Sequence, residues 1–93
     1  MRTIERTIAF RRDFKREAKG PRRGVLDTDL RSIIEALADD LPLLERHRDH
    51  ALTGEWKGYR DCHVKPDLVL VYRRIGFDRL ILARLGSHSE IDL

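Results

Sequence analysis

The stretch Leu68-Val69-Leu70-Val71-Tyr72 is apolar without alternation. A strand written this way has a layer packed on each face, so it belongs at the centre of a sheet. Its neighbours are legible on either side. Tyr59–Val64 and Arg79–Leu85 carry strand patterns, and the connectors Lys65-Pro66-Asp67 and Ile75-Gly76-Phe77-Asp78 are short and turn-forming. Connectors of that length join antiparallel strands.

Upstream, Thr3–Phe10 reads as a first strand, a candidate edge, built around Ile4 and Ile8. From Phe10 the period lengthens. Phe10, Phe14 and Ala18 recur every four residues among Arg and Lys, which predicts an amphipathic helix with a basic outer face, stopped at Gly20-Pro21. Gly24–Asp40 predicts a second helix, with Leu26, Leu30, Ile33, Ile34, Leu37 and Leu41 on one stripe and Asp27 and Asp29 at the positive end of its dipole. Leu43–Gly54 is charged and irregular. The order β-α-α-β-β-β predicts a small α+β fold, with an antiparallel-rich sheet and two helices packed on one face.

At 93 residues the chain has room for one small domain, taken as residues 1–93. Such a domain buries only roughly 60–70% of its unfolded surface, so a bound partner adds much to its stability. The formal charge of +3 conceals a gradient. Lys and Arg outnumber Asp and Glu by nine to three in residues 1–23, fall behind by three to seven in 24–49, and stand at seven to six thereafter. A basic first quarter suits a polyanion or an acidic protein partner, although solvated helix faces give the same pattern. The single Cys62 excludes an internal disulfide and fits a reducing compartment. No apolar run reaches the roughly 18 residues needed to cross a bilayer, and the N-terminus lacks an apolar signal segment. The expected location is the cytoplasm, with no membrane partner.

Proton-active and anion-binding groups crowd the second half, from His50, Lys57 and Arg60 to Arg84 and His88. On a strand, Tyr59, Asp61 and His63 share one face and Arg60, Cys62 and Val64 the other, which separates chemistry from core. His63 at the strand end and Asp67 after the turn can face one space, joined by His88 beyond the last strand and His50 from the preceding loop. Imidazoles beside arginines suit phosphodiester cleavage, which needs a base for the attacking hydroxyl, an acid for the leaving oxygen and a cation for the developing charge. RNA carries its own 2′-hydroxyl nucleophile. Lys57 and Arg60 are candidate phosphate contacts, and Trp56 and Tyr59 offer either base-stacking faces or loop packing. His47 is assigned a structural role. The His47/His50 and His63/Asp67 separations also resemble metal-ligand pairs, but zinc sites usually combine tighter spacings with more cysteine, so the metal reading ranks lower.

The uninterrupted segment Asp49–Tyr72, which includes Trp56-Lys57-Gly58-Tyr59-Arg60-Asp61-Cys62-His63-Val64-Lys65-Pro66-Asp67, closely resembles the central block of YafQ-type toxins in the RelE/ParE superfamily. Arg84-Leu85-Gly86-Ser87-His88-Ser89-Glu90 resembles their C-terminal motif, so the resemblance spans essentially the whole chain. It implies a RelE-like fold and a bacterial type II toxin that cuts mRNA in the ribosomal A site by 2′-hydroxyl attack, without metal or other cofactor. It implies a cognate antitoxin as the inhibiting partner, with operator DNA reached only through that antitoxin. His50, His63, Asp67 and His88 then occupy the catalytic positions, and Arg60 and Arg84 become phosphate or ribosomal RNA contacts. Spacing does not decide between the imidazoles; His50 is taken as base and His88 as acid.

One position departs from the family pattern. These toxins often close with an aromatic residue four positions after the last catalytic histidine, where this chain has Asp92. Two other function classes therefore stand beside the nuclease: a non-catalytic ParE-like toxin that inhibits a DNA topoisomerase, which the histidines disfavour, and an RNA- or ribosome-binding module without catalysis, which Asp92 would suit.

Overall fold

The computed structural model describes residues 1–93. In chain order the elements are β1 (Thr3–Arg6), α1 (Ile8–Ala18), α2 (Arg31–Ala38), β2 (His50–Ala51), β3 (Arg60–Lys65), β4 (Leu68–Ile75), β5 (Arg79–Gly86) and α3 (His88–Ile91). The strands form one sheet in the order β1-β5-β4-β3-β2. The first strand runs parallel to β5, and the remaining neighbours are antiparallel. This is the α+β arrangement expected from the sequence, with β1 on the edge and β4 in the middle.

The five apolar residues Leu68–Tyr72 are all fully buried. Leu68, Leu70 and Tyr72 point to the layer made by the two long helices, where they join Phe10, Leu30, Ile33, Leu37, Leu80, Leu82 and Leu85. Val69 and Val71 point the other way, into a smaller cluster with Ala83 and Ile91, against which Leu52, Trp56 and Tyr59 pack. Both faces are thus covered, and the two helices expected on one face are there. The sequence did not predict the short α3, which covers part of the opposite face, or the two-residue β2 that pairs with β3 at the far edge.

Several boundaries move. The expected strand Thr3–Phe10 stops at Arg6 because Thr7 starts the helix: its Oγ1 accepts the Phe10 N–H at 3.0 Å while its hydroxyl donates to the Ala83 carbonyl at 2.8 Å. The inward stripe of α1 is also different. Phe10 is buried, but Phe14 and Ala18 are exposed, and the positions that follow Phe10 into the interior are Asp13 and Glu17. Two carboxylates can occupy that stripe because arginines meet them: Arg84 and Arg16 on Asp13, Arg22 and Arg16 on Glu17.

These polar groups also close an exposed edge. Beyond Arg6 the β5 strand has no sheet neighbour on that side, and α1 crosses in its place. The Leu85 N–H donates to Asp13 Oδ2 at 3.0 Å, and Arg16 Nη2 donates to the Leu85 carbonyl at 2.8 Å. Helix side chains thereby satisfy backbone groups that an unpaired strand edge would offer to another chain.

The second helical stretch is less regular than its apolar stripe implies. A 3₁₀ turn at Arg23–Val25 and a π turn at Leu26–Leu30 precede α2. The widened turn keeps Leu26, Leu30, Ile33 and Leu37 on the core side. Leu41 lies outside the stripe and is exposed, because Asp40 adopts a left-handed conformation (φ 56°) that ends the helix.

Candidate active site

Alternation along β3 sends Cys62 and Val64 into the helix-side core and leaves Asp61 and His63 on the opposite face, the separation read from the sequence. Three imidazoles gather around Asp61. His50 comes from β2, whose register places it directly across from Asp61. His63 lies two residues along β3. His88 opens α3, beyond the end of β5. The His63 and His88 ring centroids are 5.0 Å apart, His50 Nδ1 is 3.0 Å from Asp61 Oδ1, and His88 Nε2 is 3.9 Å from Asp61 Oδ2.

Asp61 is 1% exposed, whereas the His50 and His88 side chains are about half exposed. The imidazoles thus stand at the solvent side of a buried carboxylate. Although His50 is close, its Nδ1 hydrogen bond is with the Arg48 carbonyl at 2.8 Å, and Asp61 Oδ1 is left without a donor. Burial pushes the Asp61 carboxyl above its ordinary range, and the fields of His50, His63 and His88 oppose that shift without cancelling it. Asp61 was visible on the His63 face in the sequence, but the resemblance pointed to Asp67 instead.

The placement of α3 is fixed by its cap. Ser87 accepts the Glu90 N–H while Glu90 accepts the Ser87 N–H, a reciprocal capping box, and Glu90 also lies 3.4 Å from Arg16 and 3.3 Å from Arg22. The Ser87 backbone bond leads the effects that hold the Glu90 carboxyl below its ordinary range. Gly86 leaves room at the approach: a Cβ there would come within 2.8 Å of Arg16 Nη2 and displace that guanidinium.

The other candidates are distributed differently. Asp67 sits on the β3–β4 turn with a 72% exposed side chain, and its contacts are with Arg22, which donates to its carbonyl and lies 3.6 Å from its carboxylate. Arg60 is held by Asp49 (3.2 Å), which also accepts the Tyr72 hydroxyl, on the helix side of the sheet. Arg84 is paired in a fork with Asp13 at 2.7 and 3.3 Å. Lys57 is exposed just after the turn Gly54–Trp56. Trp56 and Tyr59 meet edge to face at 5.2 Å and pack on the smaller core, which makes them at least in part a structural pair. His47 is buried, with Nδ1 2.7 Å from the His63 carbonyl, in the structural role assigned to it. Asp92 caps α3 in a left-handed conformation (φ 64°) and is exposed.

A buried carboxylate with a poorly satisfied oxygen costs stability when ionised. Replacing Asp61 by Asn is expected to raise the melting temperature at pH 7 while slowing any reaction that uses these imidazoles. The folded carboxyl titrates above the unfolded one, so its cost is present above the folded value and vanishes as pH falls below the unfolded one. Melting curves of the two proteins should therefore converge near about pH 4. An Asn variant that melts lower than the parent at pH 7 would contradict this account.

A five-stranded mixed sheet with two long helices on one face and a short helix on the other fits a RelE-like toxin domain. The profile of the "bacterial toxin of type II toxin-antitoxin system, YafQ" matches residues 2–92, and the chain belongs to that family. A relative from Escherichia coli K12, named mRNA interferase toxin YafQ, is 34% identical over 91 residues, covering 95% of this chain and 97% of its own. A copper-bound mutant toxin from Helicobacter pylori has a solved structure with TM-score 0.83 and 40% identity, covering 98% of this chain and 99% of its own. The E. coli YafQ toxin solved in complex with DinJ has TM-score 0.82 and 35% identity, with 98% of each chain covered. In the present chain no three His, Cys, Asp or Glu side chains converge closely enough to hold a metal ion. No helix is long and apolar enough to cross a membrane.

Proposed function

We propose that the chain, working as one toxin domain over residues 1–93, is a ribosome-dependent mRNA endonuclease of the bacterial cytoplasm, restrained by a cognate antitoxin. Operator DNA is reached only through that antitoxin. The observation that carries this reading is the gathering of His50, His63 and His88 around Asp61 in a chain whose E. coli relative is named an mRNA interferase. The E. coli toxin solved with DinJ supports a protein antitoxin as the partner.

In this mechanism one imidazole takes the proton of the 2′-hydroxyl, the freed oxygen attacks the adjacent phosphorus, and a second imidazole protonates the departing 5′-oxygen. The products are a 2′,3′-cyclic phosphate and a 5′-hydroxyl. His50 serves as base and His88 as acid, with His63 beside His88 and Asp67, on the turn after β3, as the fourth group of the set. Asp61 lies behind the imidazoles, 3.0 Å from His50 Nδ1 and 3.9 Å from His88 Nε2. Arg60 and Arg84 already carry carboxylate partners, so Lys57 is the more available of the three expected RNA contacts.

Primer extension on translated mRNA after brief expression tests the reading. Discrete cuts within codons are expected; intact messages alongside arrested growth would overturn it. Imidazole chemistry also predicts that EDTA leaves cleavage unchanged. Because the related H. pylori toxin binds copper, loss of activity in EDTA with recovery on adding one metal would shift the mechanism to a metal-assisted one.

A further inference from the structure

On the imidazole-bearing face, the sheet continues past the catalytic cluster into a shallow depression of about 260 Å³ lined by Arg6, Tyr59, Arg73 and Arg79. Its cations are not equivalent. Arg79 is engaged by Glu5, with Nη2 2.9 Å from Oε1. Arg73 is exposed, and its guanidinium lies over the Tyr59 ring at 5.5 Å from the centroid. Behind it the chain turns at Gly58 (φ 93°), where a Cβ would stand 3.8 Å from Arg73 Cζ, so the guanidinium rests between an aromatic face and bare backbone. That seat restricts a long side chain without neutralising it. Arg6, also exposed, lines the same depression. Arg73 is two residues along β4 from Val71, which pairs with Asp61, so it lies about 7 Å along the strand from the row that carries the imidazole cluster.

We propose that Arg73, laid on Tyr59 and backed by Gly58, binds a phosphodiester of an RNA chain in the depression it shares with Arg6. This rests on the reading that the neighbouring site acts on RNA. A planar guanidinium held flat presents its edge donors to phosphate oxygens, which suits backbone binding without base specificity. It also distinguishes Arg73 from Arg60 and Arg84, whose charges are already matched by Asp49 and Asp13. The phosphate belongs either to the message or to ribosomal RNA.

The test measures binding of the parent chain and of Arg73→Ala to two probes across a salt series. One probe is a 2′-O-methylated RNA oligonucleotide, which lacks the nucleophile and stays uncut; the other is vacant ribosomes. Loss of one phosphate contact should weaken binding several-fold in the arm that supplies the phosphate and lower the log–log salt slope by about 0.7. An effect with the oligonucleotide assigns message, and one with ribosomes assigns ribosomal RNA. Arg73→Lys should retain part of the affinity, and Arg12→Ala, on the exposed face of α1, should match the parent. The proposal is overturned if Arg73→Ala matches the parent in both arms, or if Arg12→Ala weakens binding equally. If those results come from a parent that still binds and cleaves RNA, the nuclease reading stands without this subsite. A parent that binds neither probe removes both.

Discussion

Alanine at His88 is expected to slow RNA cleavage by about 10²–10⁴-fold while leaving the melting temperature near that of the parent. The side chain is about half exposed, so its removal takes away the proposed proton-transfer group and little packing. His50→Ala should behave similarly, since His50 is also half exposed at the edge of the sheet. Quantitative cleavage assays on purified protein, with melting curves beside them, separate loss of chemistry from loss of fold. Parent-level cleavage by both variants would remove the imidazoles from the mechanism.

The largest stability effect is expected at Asp13. Alanine there leaves the Leu85 N–H without its acceptor and strips the carboxylate from between Arg84 and Arg16. Breaking one side of a buried ion pair costs roughly 3–5 kcal/mol, and an orphaned buried N–H roughly 1–3. The guanidiniums are partly exposed and can be rehydrated, so about 2–4 kcal/mol is expected in total, or a fall in melting temperature of roughly 10–25 °C. Burial pushes the Asp13 carboxyl up, but the Arg84 and Leu85 hydrogen bonds and the field of Arg16 outweigh it and hold the group below its ordinary value. Its contribution is therefore present above about pH 4 and is lost as pH falls through the lowered folded value. A denaturant titration that places Asp13→Ala within 1 kcal/mol of the parent would contradict this.

The sheet was legible because its strongest signals are local. Leu68–Tyr72 could satisfy its burial only in the middle strand, and the short connectors left β3 and β5 nowhere else to pair. The α1 interior was misread for a physical reason. Hydrophobic periodicity finds Phe10, Phe14 and Ala18, but burial at Asp13 and Glu17 depends on arginines up to 71 residues away, which a hydrophobic pattern does not encode. The same holds for Asp61. Alternation put it on the face with His63, yet its position among three imidazoles arises from β2 register and from α3, two elements too short to leave a periodic trace.

The parallel pairing of β1 with β5 joins the two ends of the chain: Thr3 meets Arg79, and Arg6 meets Leu82. No hairpin can nucleate that contact, which closes a loop running from Arg6 to Arg79. During synthesis Thr3–Arg6 has no sheet partner until Arg79–Leu82 has been made, and His88 follows that strand. A nascent chain is therefore incomplete both as a fold and as the proposed proton-transfer site until His88 has been added. Whatever this protein does to RNA, the message that encodes it is read past the His88 codon before the first competent copy exists.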